Sequence, residues 1–134
     1  MTEVVHELLG YKSIKIIQRP EMFAFSLDSI LLADFTVIYK KTKKIMDFGT
    51  GNAPIPLFLS LKTDQPIIGV EIQDDVYDMA KRSVALNHKE DQISIVHGDI
   101  KELHRFYQPS SFDIITCNPP FFKVTPESFI NKND

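Results

Sequence analysis

Four residues near the carboxyl end of the chain, Asn118-Pro119-Pro120-Phe121, have the types and spacing to grip a planar amine. The Asn118 side chain offers a carbonyl acceptor. Pro119 and Pro120 fix their φ angles and carry no N–H, so the turn is stiff and its carbonyls stay free to accept. Phe121 gives a flat face for stacking. Two acceptors and a ring could hold the exocyclic NH2 of a base drawn out of its stack. Asn-Pro and Pro-Pro are also ordinary loop punctuation, so the chemistry needs support from elsewhere in the chain. The apolar run Phe112 to Cys117 reads as a strand, buried on both faces, that delivers this turn.

Support comes from Lys44-Ile45-Met46-Asp47-Phe48-Gly49-Thr50-Gly51-Asn52-Ala53-Pro54. A short apolar strand runs into Asp47-x-Gly49-x-Gly51 and then into a helix that tolerates Pro54 or Pro56 in its first turn. Gly49 and Gly51 let the backbone turn tightly and approach a ligand closely. The dinucleotide fingerprint G-x-G-x-x-G aims a helix N-terminus at a pyrophosphate, but here position 54 is proline and an acid precedes the first glycine. A carboxylate at Asp47 suits a cationic ligand better than a pyrophosphate. Acids recur at the ends of the next two strands. Glu71 closes Ile67 to Glu71, roughly 20 residues on, the distance at which such folds set a carboxylate on a ribose diol. Asp99 follows Ile93 to His97 and could accept a bond from an adenine amino group. In an open parallel sheet, Asp47, Glu71, Asp99 and Asn118 would all line the crevice at the carboxyl ends of the strands.

Taken in this order, Asp47-Phe48-Gly49-Thr50-Gly51, Glu71, Gly98-Asp99-Ile100 and Asn118-Pro119-Pro120-Phe121 resemble the class I S-adenosyl-L-methionine-dependent methyltransferases. The Asn-Pro-Pro-Phe form is similar to enzymes that methylate amino groups of nucleic-acid bases. Leu9-Gly10-Tyr11-Lys12, Ile14 to Gln18, and Met22-Phe23-Ala24-Phe25-Ser26-Leu27-Asp28 to Ala33 narrow the resemblance. They resemble the bacterial tRNA adenine-N6 methyltransferases that act on valine tRNA beside the anticodon. The resemblance implies that Asp47, Gly49 and Gly51 shape the pocket for the methionine part of the cofactor. It implies that Glu71 binds the ribose hydroxyls and that Asp99, with Ile100, binds the adenine. Phe25, Ser26 and Asp28 would close over the cofactor, and Asn118, Pro119, Pro120 and Phe121 would hold the target adenine. Asn-Pro-Pro-Tyr would lean towards DNA adenine or a release-factor glutamine, so Phe121 leans towards RNA. Ribosomal RNA bases remain possible acceptors of the same chemistry.

The elements that must position these residues follow from periodicity. Tyr11 to Gln18 alternates apolar and polar residues and predicts a strand. Arg19-Pro20-Glu21 predicts a turn, and Asp28 to Val37 a helix with Ser26 as N-cap. Strands are predicted near Lys44 to Phe48, Ile67 to Glu71, Ile93 to His97 and Phe112 to Cys117. Helices are predicted over Ile55 to Leu61, Asp74 to Asn87 and Lys101 to Phe106. Strands alternating with helices imply an α/β fold with a parallel sheet, and the resemblance makes it a Rossmann-like methyltransferase sheet. Residues 1–38 read as an N-terminal strand and helix extension, and 39–134 as the cofactor-binding half of one domain.

Composition bounds the rest. A chain of 134 residues with 43% apolar content carries one core. The net charge of −3 supplies no bulk basic field for RNA, and Lys40-Lys41-Thr42-Lys43-Lys44 is the one basic cluster. The single cysteine, Cys117, reads as an inert thiol in a core strand. His6, His88, His97 and His104 have no metal-ligand spacing, so no metal is expected. No signal peptide and no membrane-length apolar run are present, which together with the lone cysteine predicts a cytoplasmic protein. The resemblance implies a sheet of seven strands, of which this chain would supply four. It therefore reads as a part truncated after the fourth core strand, with an exposed edge open to self-association. A half-domain of this kind could also be a cofactor-binding fragment with no turnover of its own.

Overall fold

Four apolar runs pair side by side as one parallel sheet, and everything else is arranged to cover or anchor it. In the computed structural model, residues 3–8, 11–18, 27–105, 107 and 111–117 are described. The chain opens with strands β1 (Val4–Leu8) and β2 (Tyr11–Gln18), followed by helix α1 (Leu27–Phe35). Next come β3 (Ile45–Phe48), α2 (Pro54–Leu59), β4 (Ile67–Glu71), α3 (Asp74–Leu86), β5 (Ile93–His97), a 3₁₀ helix (Ile100–Arg105) and β6 (Ile114–Cys117). The sheet order is β5-β4-β3-β6, and all three pairings are parallel. This is the α/β arrangement expected from the alternating pattern. The chain runs outward from β3 through β4 to β5, then crosses back to the other side of β3. That reversal leaves a crevice at the carboxyl ends of β3 and β6.

Packing follows from the sequence of each cover. Every residue of α2 is buried, and Pro54 stands at its start, where a missing N–H costs nothing. Helix α3 buries Val76, Met79, Ala80, Ser83 and Val84, a spacing that lines one helical face. Asp74 and Asp75 in its first turn oppose the positive end of the helix dipole. The core gathers Ile14 and Ile16 of β2, Ile45, Ile67 and Ile93 of the sheet, Leu57, Phe58 and Leu59 of α2, and Ala80 and Val84 of α3.

The first two strands form a separate antiparallel hairpin. Strand β1 is an element the periodicity reading did not assign. The hairpin is fixed to the domain by side chains that bond the backbone of β2. The Lys15 N–H donates to Asn87 Oδ1 at 2.8 Å, and Asn87 Nδ2 returns a bond to the Lys15 carbonyl. The Ile17 N–H donates to Ser83 Oγ at 3.0 Å, and the Ile17 carbonyl accepts from Asn52 Nδ2 at 2.8 Å. Helix α1 is held at its end by Lys62, whose Nζ donates to the carbonyls of Ala33, Asp34 and Thr36 at 2.9, 3.0 and 2.7 Å.

Three expectations are corrected. The segment after Asp99 is a 3₁₀ helix, with no buried residue to hold an α-helix together over so short a span. Strand β6 begins at Ile114 rather than Phe112. It is not buried on both faces: Ile115 is 55% exposed and Cys117 is exposed, while Thr116 is buried. The reason is position, since β6 stands at the end of the sheet among the described residues. Cys117 is therefore no core thiol, although partial burial, and then the charge of Asp47, push its pKa up. No described helix is long and apolar enough to cross a membrane.

Removing the hydroxyl at Ser83 strands a buried backbone donor. Ser83→Ala is expected to lower the free energy of unfolding by about 1–3 kcal/mol, read by urea denaturation. An unchanged midpoint would mean that the hairpin does not depend on this contact.

Candidate functional site

The turn after β3 is a chain of left-handed residues. Gly49 has φ 59°, Gly51 φ 61° and Ala53 φ 75°. The two glycines meet this at no steric cost, whereas Ala53 carries strain and is fully buried. The Thr50 N–H donates to the Val70 carbonyl at 2.9 Å, and the Ala53 N–H to the Thr50 carbonyl at 3.0 Å. A Cβ on Gly49 would meet nothing within 4 Å, so the backbone there faces open space.

Three consecutive residues of this turn are each gripped by a different element. Thr50 Oγ1 donates to Asp47 Oδ2 of β3 at 2.7 Å. The Gly51 N–H donates to Glu71 Oε1 of β4 at 2.9 Å. Asn52, buried, donates to β2 through Ile17. Glu71 Oε2 accepts the Gln73 N–H at 2.9 Å, so both carboxylate oxygens are fixed by backbone. The other oxygen of Asp47, Oδ1, accepts from Thr116 Oγ1 of β6 at 2.7 Å. Thr116 is the register partner of Asp47 across the β3–β6 pairing. Gly69, opposite Asp47 on β4, makes room for Thr50: a Cβ there would lie 2.8 Å from Thr50 Oγ1.

Asp47 is 1% exposed, and its pKa rises from 3.8 to about 6. Burial is the main cause, the Thr50 and Thr116 hydroxyls oppose it, and the nearby charge of Glu71 adds to it. With hydroxyls as its direct partners and an acid as its charged neighbour, the site favours a cation. Glu71 is also buried, and its carbonyl accepts the Gly98 N–H at 3.0 Å, which ties the end of β5 to the end of β4. Asp99 follows at that end. Its Oδ1 accepts the Lys101 N–H at 2.9 Å and its carbonyl accepts the Glu102 N–H. Ile100 is 45% exposed.

The structure thus brings Asp47, Gly51 and Glu71 into one bonded cluster, with Gly49 in the turn between them, and sets Asp99 and Ile100 after the adjoining strand end. The backbone of Asp28 lies in α1. Phe25, Ser26, Asn118, Pro119, Pro120 and Phe121 lie outside the described residues. Thr50, Asn52, Gly69 and Thr116 were not singled out by sequence. Only Thr50 and Asn52 carry a local signal, through the glycines beside them. Among the described residues, no three His, Cys, Asp or Glu side chains gather as a metal site.

The raised pKa has a signed consequence. Folded Asp47 holds its proton up to about pH 6, while the unfolded carboxyl loses it near 3.8. The unfolded state is therefore favoured progressively as pH rises between those values, by about 3 kcal/mol in total. Relative to Asp47→Asn, the parent protein is expected to lose about 2 kcal/mol of this stability between pH 4 and pH 7. Urea unfolding at both pH values reads the difference, and parallel profiles would contradict the buried ionisation.

Comparison with known proteins gives the site a context. Residues 13–130 match the family described as the methyltransferase small domain. A tRNA1(Val) (adenine(37)-N6)-methyltransferase of Tolumonas auensis is 32% identical over 97 residues, which cover 71% of this chain and 39% of that protein. A putative protein N5-glutamine methyltransferase of Methanocaldococcus jannaschii is 27% identical over 124 residues, 92% of this chain and 59% of that one. The chain thus spans roughly two fifths to three fifths of the length of these relatives. Among solved structures, the delta-N METTL16 methyltransferase domain superposes with a TM-score of 0.68 at 22% identity, covering 80% of this chain and 52% of that one. The last similarity speaks for the fold. The family match takes in β3 with its glycine turn and continues past β6, and by it the chain belongs to the methyltransferase small domain family.

Proposed function

We propose that this chain carries the donor-binding part of an N-methyltransferase that modifies N6 of an adenine in tRNA, beside the anticodon of valine tRNA, in the cytoplasm. Residues 39–134 form the cofactor-binding half and residues 1–38 its extension. The observation that carries the reading is the bonded cluster at the switch point. Two buried carboxylates flank a left-handed glycine turn, and the strand paired with that turn's own strand ends one residue before Asn118.

Membership in a methyltransferase family brings S-adenosyl-L-methionine as the methyl donor. When bound, it supplies an electrophilic sulfonium methyl. The residues present fit such a cation-bearing nucleoside. Open space lies over Gly49, uncompensated negative charge sits at Asp47, and Glu71 stands fixed at a strand end. In this reading Glu71 accepts from the ribose hydroxyls, Asp99 and Ile100 bind the adenine, and Phe25, Ser26 and Asp28 close over the donor. Asp47 acts from within, by holding Thr50 and so the shape of the Gly49–Gly51 turn.

Adenine N6 is a poor nucleophile because its lone pair is delocalised into the ring. The Asn118 side-chain carbonyl and the Pro119 carbonyl accept its two N–H bonds and draw the nitrogen towards tetrahedral geometry. Pro120 stiffens the turn and Phe121 stacks on the base. Orientation supplies most of the acceleration, and no strong base is needed. The N6 proton leaves to water after the methyl has moved.

A second reading keeps this chemistry and changes the acceptor to a protein glutamine amide, favoured by the 124-residue similarity to the Methanocaldococcus jannaschii protein. A third, of another class, is donor binding without turnover. The chain is to be incubated with S-adenosyl-L-methionine and unmodified tRNA, and N6-methyladenosine read by nucleoside mass spectrometry. Asn118→Ala is expected to cut transfer by about 100-fold or more and leave donor affinity unchanged. Equal rates in variant and parent would sink the mechanism. Methylation of release factor but not tRNA would select the glutamine acceptor, and donor binding with no transfer would select the third reading.

A further inference from the structure

His97, the last residue of β5, has no part in the site as described so far, yet it grips the segment that carries Glu71. The Ile72 carbonyl stands 2.9 Å from His97 Nε2. A carbonyl only accepts, so Nε2 bears the hydrogen in this contact. The next residue, Gly98, donates its N–H to the Glu71 carbonyl at 3.0 Å. His97, which ends β5, and Gly98, which follows it, thus hold two consecutive carbonyls at the end of β4. Between those carbonyls and the Gln73 N–H, which bonds Glu71 Oε2, the backbone that aims the Glu71 carboxylate has no slack.

The imidazole is itself held. It stacks on Tyr77 of α3, with centroids 5.1 Å apart and planes 24° from parallel. Lys81 Nζ lies 5.4 Å from the centre of the Tyr77 ring. Asp74 Oδ1 is 3.8 Å from Nδ1, the nitrogen not engaged by Ile72. Ile72, whose carbonyl is gripped, follows Glu71 directly in the chain and is itself 59% exposed, so the bond from His97 rather than packing of its side chain holds this residue.

We propose that His97 is a positioning residue for the nucleoside end of the donor: it acts through the Ile72 carbonyl, fixing Glu71 against the ribose. This rests on the donor reading above. Two substitutions separate the bond from the packing. His97→Phe keeps a ring against Tyr77 and loses the donor. His97→Gln keeps an N–H donor and loses the ring.

Affinity for S-adenosylhomocysteine and for 5′-methylthioadenosine, which carries the nucleoside end alone, is read by titration calorimetry. H97F is expected to weaken both by about tenfold, and H97Q by no more than about threefold. In an E71Q background H97F is expected to add less than about twofold, because both changes act on one contact. Equal losses in H97F and H97Q, or a full tenfold loss persisting in E71Q, would overturn the inference, as would H97F binding like the parent. A parent protein that takes up no S-adenosylhomocysteine would overturn the donor reading and this inference with it.

Discussion

A carboxylate buried at the point where the order of the strands reverses is the constraint on which the rest depends. Asp47 has lost its water, and two threonine hydroxyls replace it. Burying an acid is costly unless each oxygen finds a donor. The two donors come from opposite directions, one from the turn that follows β3 and one from β6. The need to satisfy one side chain therefore fixes the turn and the last strand relative to each other. It also dictates a small residue on the opposite side, since Thr50 occupies the space a side chain at Gly69 would need.

The hairpin extends the same logic outward. Its strand β2 meets the domain through side chains of Asn52, Ser83 and Asn87 rather than through a neighbouring strand. Asn52 belongs to the glycine turn and Ser83 and Asn87 to α3 and its end, so the hairpin touches both the turn and the helix. Its position is set by where those two elements already stand.

Much of the fold was legible because the chain is patterned at short range. The short apolar-rich runs at 45–48, 67–71 and 93–97 and the one-sided apolar face of α3 each show themselves within a few residues. The glycines at 49 and 51 mark a turn whose positive φ angles no other residue adopts freely. Strand β1 is not legible because Val4–Leu8 carries His6 and Glu7 side by side, which gives neither a continuous apolar run nor an alternation, and its pairing across the hairpin is a matter of register. Register also hid Thr116. Nothing near it in sequence says that it stands opposite Asp47, and one step along β6 would place Cys117 or Ile115 there instead. The burial of β6 was overread for a related reason: an apolar run does not report whether both faces are covered. Ala53 escaped notice because alanine is rarely found at φ 75°, and its buried Cβ, not its backbone, explains why it is not glycine.

Lys62 gives the extension a different kind of attachment. An ammonium has three N–H bonds, and all three are spent on carbonyls at the end of α1. Those carbonyls have no partners within the helix and carry its negative pole. The joint between α1 and the segment after α2 thus adds a point charge seated on a dipole to the apolar contacts that Leu32 and Ala33 make with the core. Such a joint has a single on-off variable, the charge itself. Neutralising one amine, by acylation for example, would release the carbonyls at the end of α1 and leave the apolar contacts of Leu32 and Ala33 in place.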